Sequence, residues 1–155
     1  MKTGILTALA LSILCGQSLV AQNTERNPLG KLTHLKCTFT VTASASWKAG
    51  PPEVQVKSEE LSVAFAKIDL DSGTAEVEAA GGAIDVVALL TGSSVHILER
   101  SFQGNLTVTS IFAPANARGK FRAVRSRHDY LMMNIPGFVA EPTVQQRSGE
   151  CEGGA

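Results

Sequence analysis

The sequence has few of the residues that would announce a chemistry. It contains three histidines, three cysteines, one tryptophan and one tyrosine in 155 residues. His34, His96 and His128 stand too far apart for an H-x-H, H-x-x-x-H or H-E-x-x-H pattern, so no pair of imidazoles is set on one metal by spacing, and no metal or other cofactor is expected. No G-x-S-x-G elbow is present. Ser126, His128 and Asp129 could compose a triad only on paper, because Asp129 adjoins His128 and neighbours in a strand point to opposite faces. The paired carboxylates Glu59-Glu60, Glu76 with Glu78, and Asp69 with Asp71 read as solvated strand faces and turns. These absences make a non-catalytic protein the expectation.

Length and net charge exclude more. Fourteen Lys and Arg balance fourteen Asp and Glu, so no global field draws the chain to nucleic acid or to an anionic membrane. Ile5 to Cys15 is too short for the roughly 20 apolar residues of a membrane-spanning helix. It follows Lys2 and precedes Leu19-Val20-Ala21, which makes residues 1–21 a cleavable signal peptide. A secreted or periplasmic protein is expected, with no transmembrane segment after cleavage. Removal of 21 of the 155 residues leaves 134, enough for one domain with its own core.

Cys15 leaves with the signal. Cys37 and Cys151 remain, an even number in an oxidising compartment, and an intramolecular bridge between them is expected. Residues 22–30 are polar and broken by Pro28 and Gly30, as in a flexible N-terminal arm, and residues 31–155 form the domain.

From Leu35 to Trp47 every odd position is apolar or cysteine and every even position is His, Lys, Thr or Ser. That period of two predicts a long half-buried strand with Leu35, Cys37, Phe39, Val41, Ala43, Ala45 and Trp47 facing inward. Further strands are predicted at Val54 to Lys57, Leu61 to Leu70, Thr74 to Ala79, Ile84 to Leu90, Val95 to Ser101, Leu106 to Ala113 and Lys120 to Arg127. Turn residues separate most of them, at Gly50-Pro51-Pro52, Asp71-Ser72-Gly73, Gly81-Gly82, Thr91-Gly92-Ser93, Gln103-Gly104-Asn105 and Asn116 to Gly119. The reading is all-β: an antiparallel meander of about eight strands, with a closed barrel favoured over a β-sandwich because closure hides its edges.

Charge is uneven along the chain. Eight acids lie between Glu53 and Asp85, and five bases without an acid lie between Arg118 and Arg127. Arg118, Lys120 and Arg122 share one strand parity, while Arg125 and Arg127 take the other. A bulge near Ala123-Val124 would keep all five outward as an anion-binding ridge. The same bulge would turn Ser126, His128 and Tyr130 inward, where they would orient a ligand in a cavity left by the small residues Ala43, Ala45, Ala75, Ala79 and Ser110.

Ala45-Ser46-Trp47, on an early strand of a small exported β-domain, resembles the Gly-x-Trp motif of lipocalins, with Ala45 in the glycine position. The chain also resembles small secreted bacterial β-domain proteins. The lipocalin resemblance implies an eight-stranded barrel, sealed at one end around Trp47 and carrying an apolar ligand. The leading expectation is a binding protein for a small apolar or amphipathic molecule, with Ser126, His128, Tyr130 and Trp47 as its ligand residues. An adhesion module that holds an anionic polymer or surface on the basic strand, and an enzyme built around His128, are the alternatives.

Overall fold

The computed structural model describes residues 27–47, 50–101, 104–130 and 141–154. Within them one 3-10 turn, Pro28–Lys31, precedes eight strands: β1 (His34–Ser46), β2 (Glu53–Asp69), β3 (Thr74–Ala79), β4 (Gly82–Thr91), β5 (Ser94–Arg100), β6 (Leu106–Phe112), β7 (Phe121–Asp129) and β8 (Thr143–Gly154). Each pairs antiparallel with the next, and β8 pairs with β1 to close a barrel. The fold is therefore the closed barrel of the sequence reading. The proposed signal segment lies outside the described residues.

Two of the predicted strands are one. Ser58-Glu59-Glu60 looks like a polar break, but β2 runs through it for 17 residues, paired to β1 on either side of a register shift opposite Thr40. The eighth strand, β8, carries no apolar alternation, and the sequence reading contained no strand there. Its glycines serve close approach instead. A Cβ on Gly149 would stand 2.1 Å from the carbonyl oxygen of Thr38, so only glycine lets β8 lie against β1 at this point.

Cys37 and Cys151 face each other across the β1–β8 ladder and form the expected disulfide, with both residues fully buried. It closes a separation of 114 residues, and a loop of that length is stabilised by roughly 4–5 kcal/mol on chain-entropy grounds.

One end of the barrel is filled and plugged. Leu35, Phe39, Phe65, Val95, Ile97 and Ile111 are at most 1% exposed there. The 3-10 turn caps this end: Leu29 is fully buried, the Asn27 side chain accepts from Leu29 N, and Asn27 Nδ2 donates to the Gly92 carbonyl at 2.8 Å. The N-terminal arm is thus not loose from Asn27 onward, because one leucine at the right distance from β1 finds the barrel's mouth.

The inward face of β1 changes halfway. Thr40 forms a bulge against β8, after which Val41 faces out and Thr42 is buried. The continuous odd-numbered face predicted from Leu35 to Trp47 therefore ends at Phe39. Ala43 and Ala45 lie on the outer parity, and Thr42, Ser44 and Ser46 on the inner one. Strand β6 also departs from its expected sidedness: Thr107, Thr109 and Ile111 are buried inside, while Leu106 and Phe112 are exposed.

Candidate functional site

The strands place a polar layer directly above the apolar fill. On β7, Phe121 and Ala123 are buried, and the ladders to β6 and β8 run without a shift, so the same face continues through Arg125, Arg127 and Asp129. No bulge interrupts the strand near Ala123-Val124. The side chain of Arg125 is 14% exposed, inside the barrel. Its guanidinium grips Glu99 on β5 with both terminal nitrogens, Nη2 at 2.9 Å from Oε2, and Nη1 also donates to Thr109 Oγ1 at 2.8 Å. A forked pair of this kind fixes orientation as well as charge.

Arg147 on β8 sits directly opposite Arg125 in the ladder. Like charges in that position repel, and each is answered by its own acid. Arg147 Nη2 lies 3.2 Å from Glu59 Oε2, and Lys57 Nζ lies 3.1 Å from the same oxygen. The hydrogen bond from Lys57, reinforced by the positive charges of Lys57 and Arg147, holds the Glu59 carboxyl below its ordinary pKa. Between Lys57 and Arg147 lies Thr42, whose buried Oγ1 has no hydrogen-bond partner among the described residues. A hydroxyl buried in that way costs about 1–3 kcal/mol.

Beyond the layer, nothing among the described residues closes the barrel. A cavity of about 190 Å³ is lined on one side by Val77, Ile84 and Val86 and on the other by Glu99, Thr107, Arg125 and Arg127, with Arg100, Ser101 and Asn105 completing the wall. Arg127 Nε donates to Asp129 Oδ1 at 2.8 Å, and no partner is found among the described residues for its two terminal nitrogens. Three arginines against the single carboxylate of Glu99 give the lining a positive excess, and Glu99 is already committed to Arg125.

The residues expected to bind ligand are placed elsewhere. Ser126 and His128 lie on the outer parity of β7, opposite Val108 and Leu106 on β6, and Tyr130 is 50% exposed beyond the strand's end. The cause is the uninterrupted alternation of β7, which turns Arg125 and Arg127 inward in their place. Trp47 is half-buried just past β1, at the open end. Among the described residues the closed end is sealed by Leu29 and Leu32, not by the tryptophan that the lipocalin resemblance implies. Ser110 lies on the outer parity as well, beside His96 Nδ1 at 2.9 Å.

The basic ridge is divided for the same reason. Arg118 Nη2 lies 3.2 Å from both carboxylate oxygens of Glu150, Lys120 pairs with Glu152 at 3.2 Å, and exposed Arg122 lies across the ladder from Glu150. Only these three are outside, each beside an acid of β8. Glu99, Thr107, Thr109, Glu59 and Arg147 were missed by the sequence reading. A usable signal existed for one of them, since Glu99 extends the buried row Val95, Ile97, and for the facing of Arg125, which extends the row Phe121, Ala123. No protein-family model matches the chain, and no curated protein sequence matches it.

Proposed function

We propose that the protein is a non-catalytic binding protein, working in a secreted or periplasmic setting, whose ligand is a small amphipathic molecule with an anionic head. The observation that carries this reading is the cavity at the open end, with aliphatic side chains on one wall and Arg125 and Arg127 on the other. Aliphatic walls favour an apolar body, and a guanidinium favours a carboxylate or similar oxyanion. At about 190 Å³ the cavity is smaller than the roughly 300–1,000 Å³ of sites for drug-sized ligands. It suits a short molecule, or the head of a longer one that leaves through the open mouth. A setting outside the cytoplasm is supported by the buried Cys37–Cys151 disulfide together with the N-terminal segment 1–21.

The alternatives have less behind them. Adhesion through the basic strand is weakened by the acids beside Arg118, Lys120 and Arg122, and catalysis at His128 by its exposed place on the outer wall.

Native mass spectrometry of the protein isolated from its own host is the first test, with a retained small acid as the expected result. Arg127→Ala should weaken that binding about ten- to a hundredfold, the usual worth of a hydrogen bond to a charged group. A protein that carries no molecule, and binds medium-chain carboxylates no better than Arg127→Ala does, would overturn the reading.

A further inference from the structure

Strand β2 is much longer than its neighbour on one side. It is paired to β1 from Glu53 to Phe65, but its ladder with β3 covers only Phe65 to Asp69. Among the described residues, nothing pairs with the second edge of β2 from Glu53 to Ala64. The first six residues, Glu53 to Ser58, are all exposed, with Val54 at 69% and Val56 at 70%. A strand exposed on both faces with a row of unanswered backbone groups is a template for another strand. The preceding Pro51 and Pro52 have no N–H to donate, which limits where such a ladder can begin.

The residues on this edge complement themselves. We infer that a second copy of this chain docks here, β2 against β2, antiparallel, about a two-fold axis at Gln55. In that register each Val54 faces the partner's Val56, and each Glu53 faces the partner's Lys57. Two apolar contacts cover the valines on the outer face, and two ion pairs lie on the inner one. Lys57 already lies 3.1 Å from Glu59, and its ammonium keeps donors for the partner's Glu53. Moving the axis by one residue, to Val56, sets Glu53 against the partner's Glu59 and loses both ion pairs. The charge pattern therefore selects one register. A lysine on an edge normally discourages pairing; here Lys57 is met by its own Glu59 and, in the dimer, also by the partner's Glu53. The site is isologous, the arrangement of most homodimers.

The test is a charge exchange, read by sedimentation equilibrium on the intact protein into the millimolar range. The unaltered protein should show a concentration-dependent dimer. Glu53→Lys alone and Lys57→Glu alone each place like charges at both contacts and should weaken association at least about fivefold. Mixing the two variants brings opposite charges together at both contacts and should restore a mixed dimer. Gln55→Cys, on the axis, should give a disulfide-linked dimer under oxidising conditions, whereas Ser62→Cys should not. Both charge positions are exposed, and circular dichroism checks that each variant is folded. A protein that stays monomeric at every concentration overturns the inference, leaving the edge to solvent or to a strand of another protein. So does a dimer that neither charge variant weakens.

Discussion

At the closed end the interior holds Phe39, Ile97, Ile111 and Phe121; a step further along the same strands it holds Thr42, Glu99, Thr109 and Arg125. On the outer surface apolar side chains stand exposed at both ends, Val54 and Val56 at the open one and Leu89 and Phe112 near the closed one, so the two ends differ in their interiors. The closed half is built as most small domains are, by removing apolar surface from water. The open half is held by the backbone ladder and by ion pairs such as Arg125 with Glu99 and Arg147 with Glu59. Stability is concentrated at one end and recognition at the other, as expected of a rigid scaffold that presents a binding rim.

The most direct way to break this comparison is to make equivalent truncations at the two ends. Phe39→Ala removes a fully buried ring and should cost about 3–5 kcal/mol in urea unfolding. Val56→Ala, at an exposed position, should stay within about 0.5 kcal/mol. Comparable losses at both would mean that the open end is packed as tightly as the closed one.

A smaller effect is expected from the polar layer. Glu99→Gln keeps the shape but removes the charge opposite Arg125, whose side chain is only 14% exposed. Breaking a buried pair from one side is destabilising, by about 3 kcal/mol for groups still touched by solvent. The double change Glu99→Leu with Arg125→Met should recover much of that loss, since the pair itself contributes less than an abandoned charge costs. If Glu99→Gln alone is silent, the layer is solvated and the two halves differ less than their side chains suggest.

Much of the barrel could be read from alternation, and the reasons for the misreadings are physical. Alternation locates strands but does not state which face is inside once both faces are mild. In β6, Leu106, Val108 and Phe112 look like the buried row, yet Thr107, Thr109 and Ile111 are inside, opposite the inward Val95, Ile97 and Glu99 row of β5, where Thr109 accepts from Arg125. The bulge at Thr40 is silent in sequence, as Thr42, Ser44 and Ser46 differ little in polarity from Ala43 and Ala45. The cysteines could be paired by count alone, whereas β8, rich in glycine, could not be recognised as a strand before its closeness to β1 was known. The candidate site suffered most. Its arginines were noticed for their charge and assigned to the surface, on the assumption that charges face outward, and the parity of Phe121 and Ala123 contradicts that assumption.

The smallest expected effect concerns acid. The hydrogen bond from Lys57, with the charges of Lys57 and Arg147, depresses the pKa of Glu59 in the folded protein, and the backbone N–H of Ser72, with further bonds from its side chain and Asp71, depresses that of Asp69. In the unfolded chain both groups titrate near pH 4. A depressed folded pKa means that each carboxylate contributes stability fully above pH 4, and that the contribution is lost as pH falls through the lower folded value. Asp69 lies in the turn that closes β2 onto β3, at the plugged end; Glu59 belongs to the polar layer. Protonating Glu59 leaves Arg147 beside Arg125 without its acid, so the rim residues of β1, β2 and β8 should lose hydrogen-exchange protection before the β1–β8 pairing around Cys37 does. Glu59→Gln should flatten the acid side of the stability curve and remove the difference between the two ends in the order of exchange. Equal loss of protection at both ends as pH falls from about 4, the ordinary carboxylate value, would show that acid acts on the barrel as one unit.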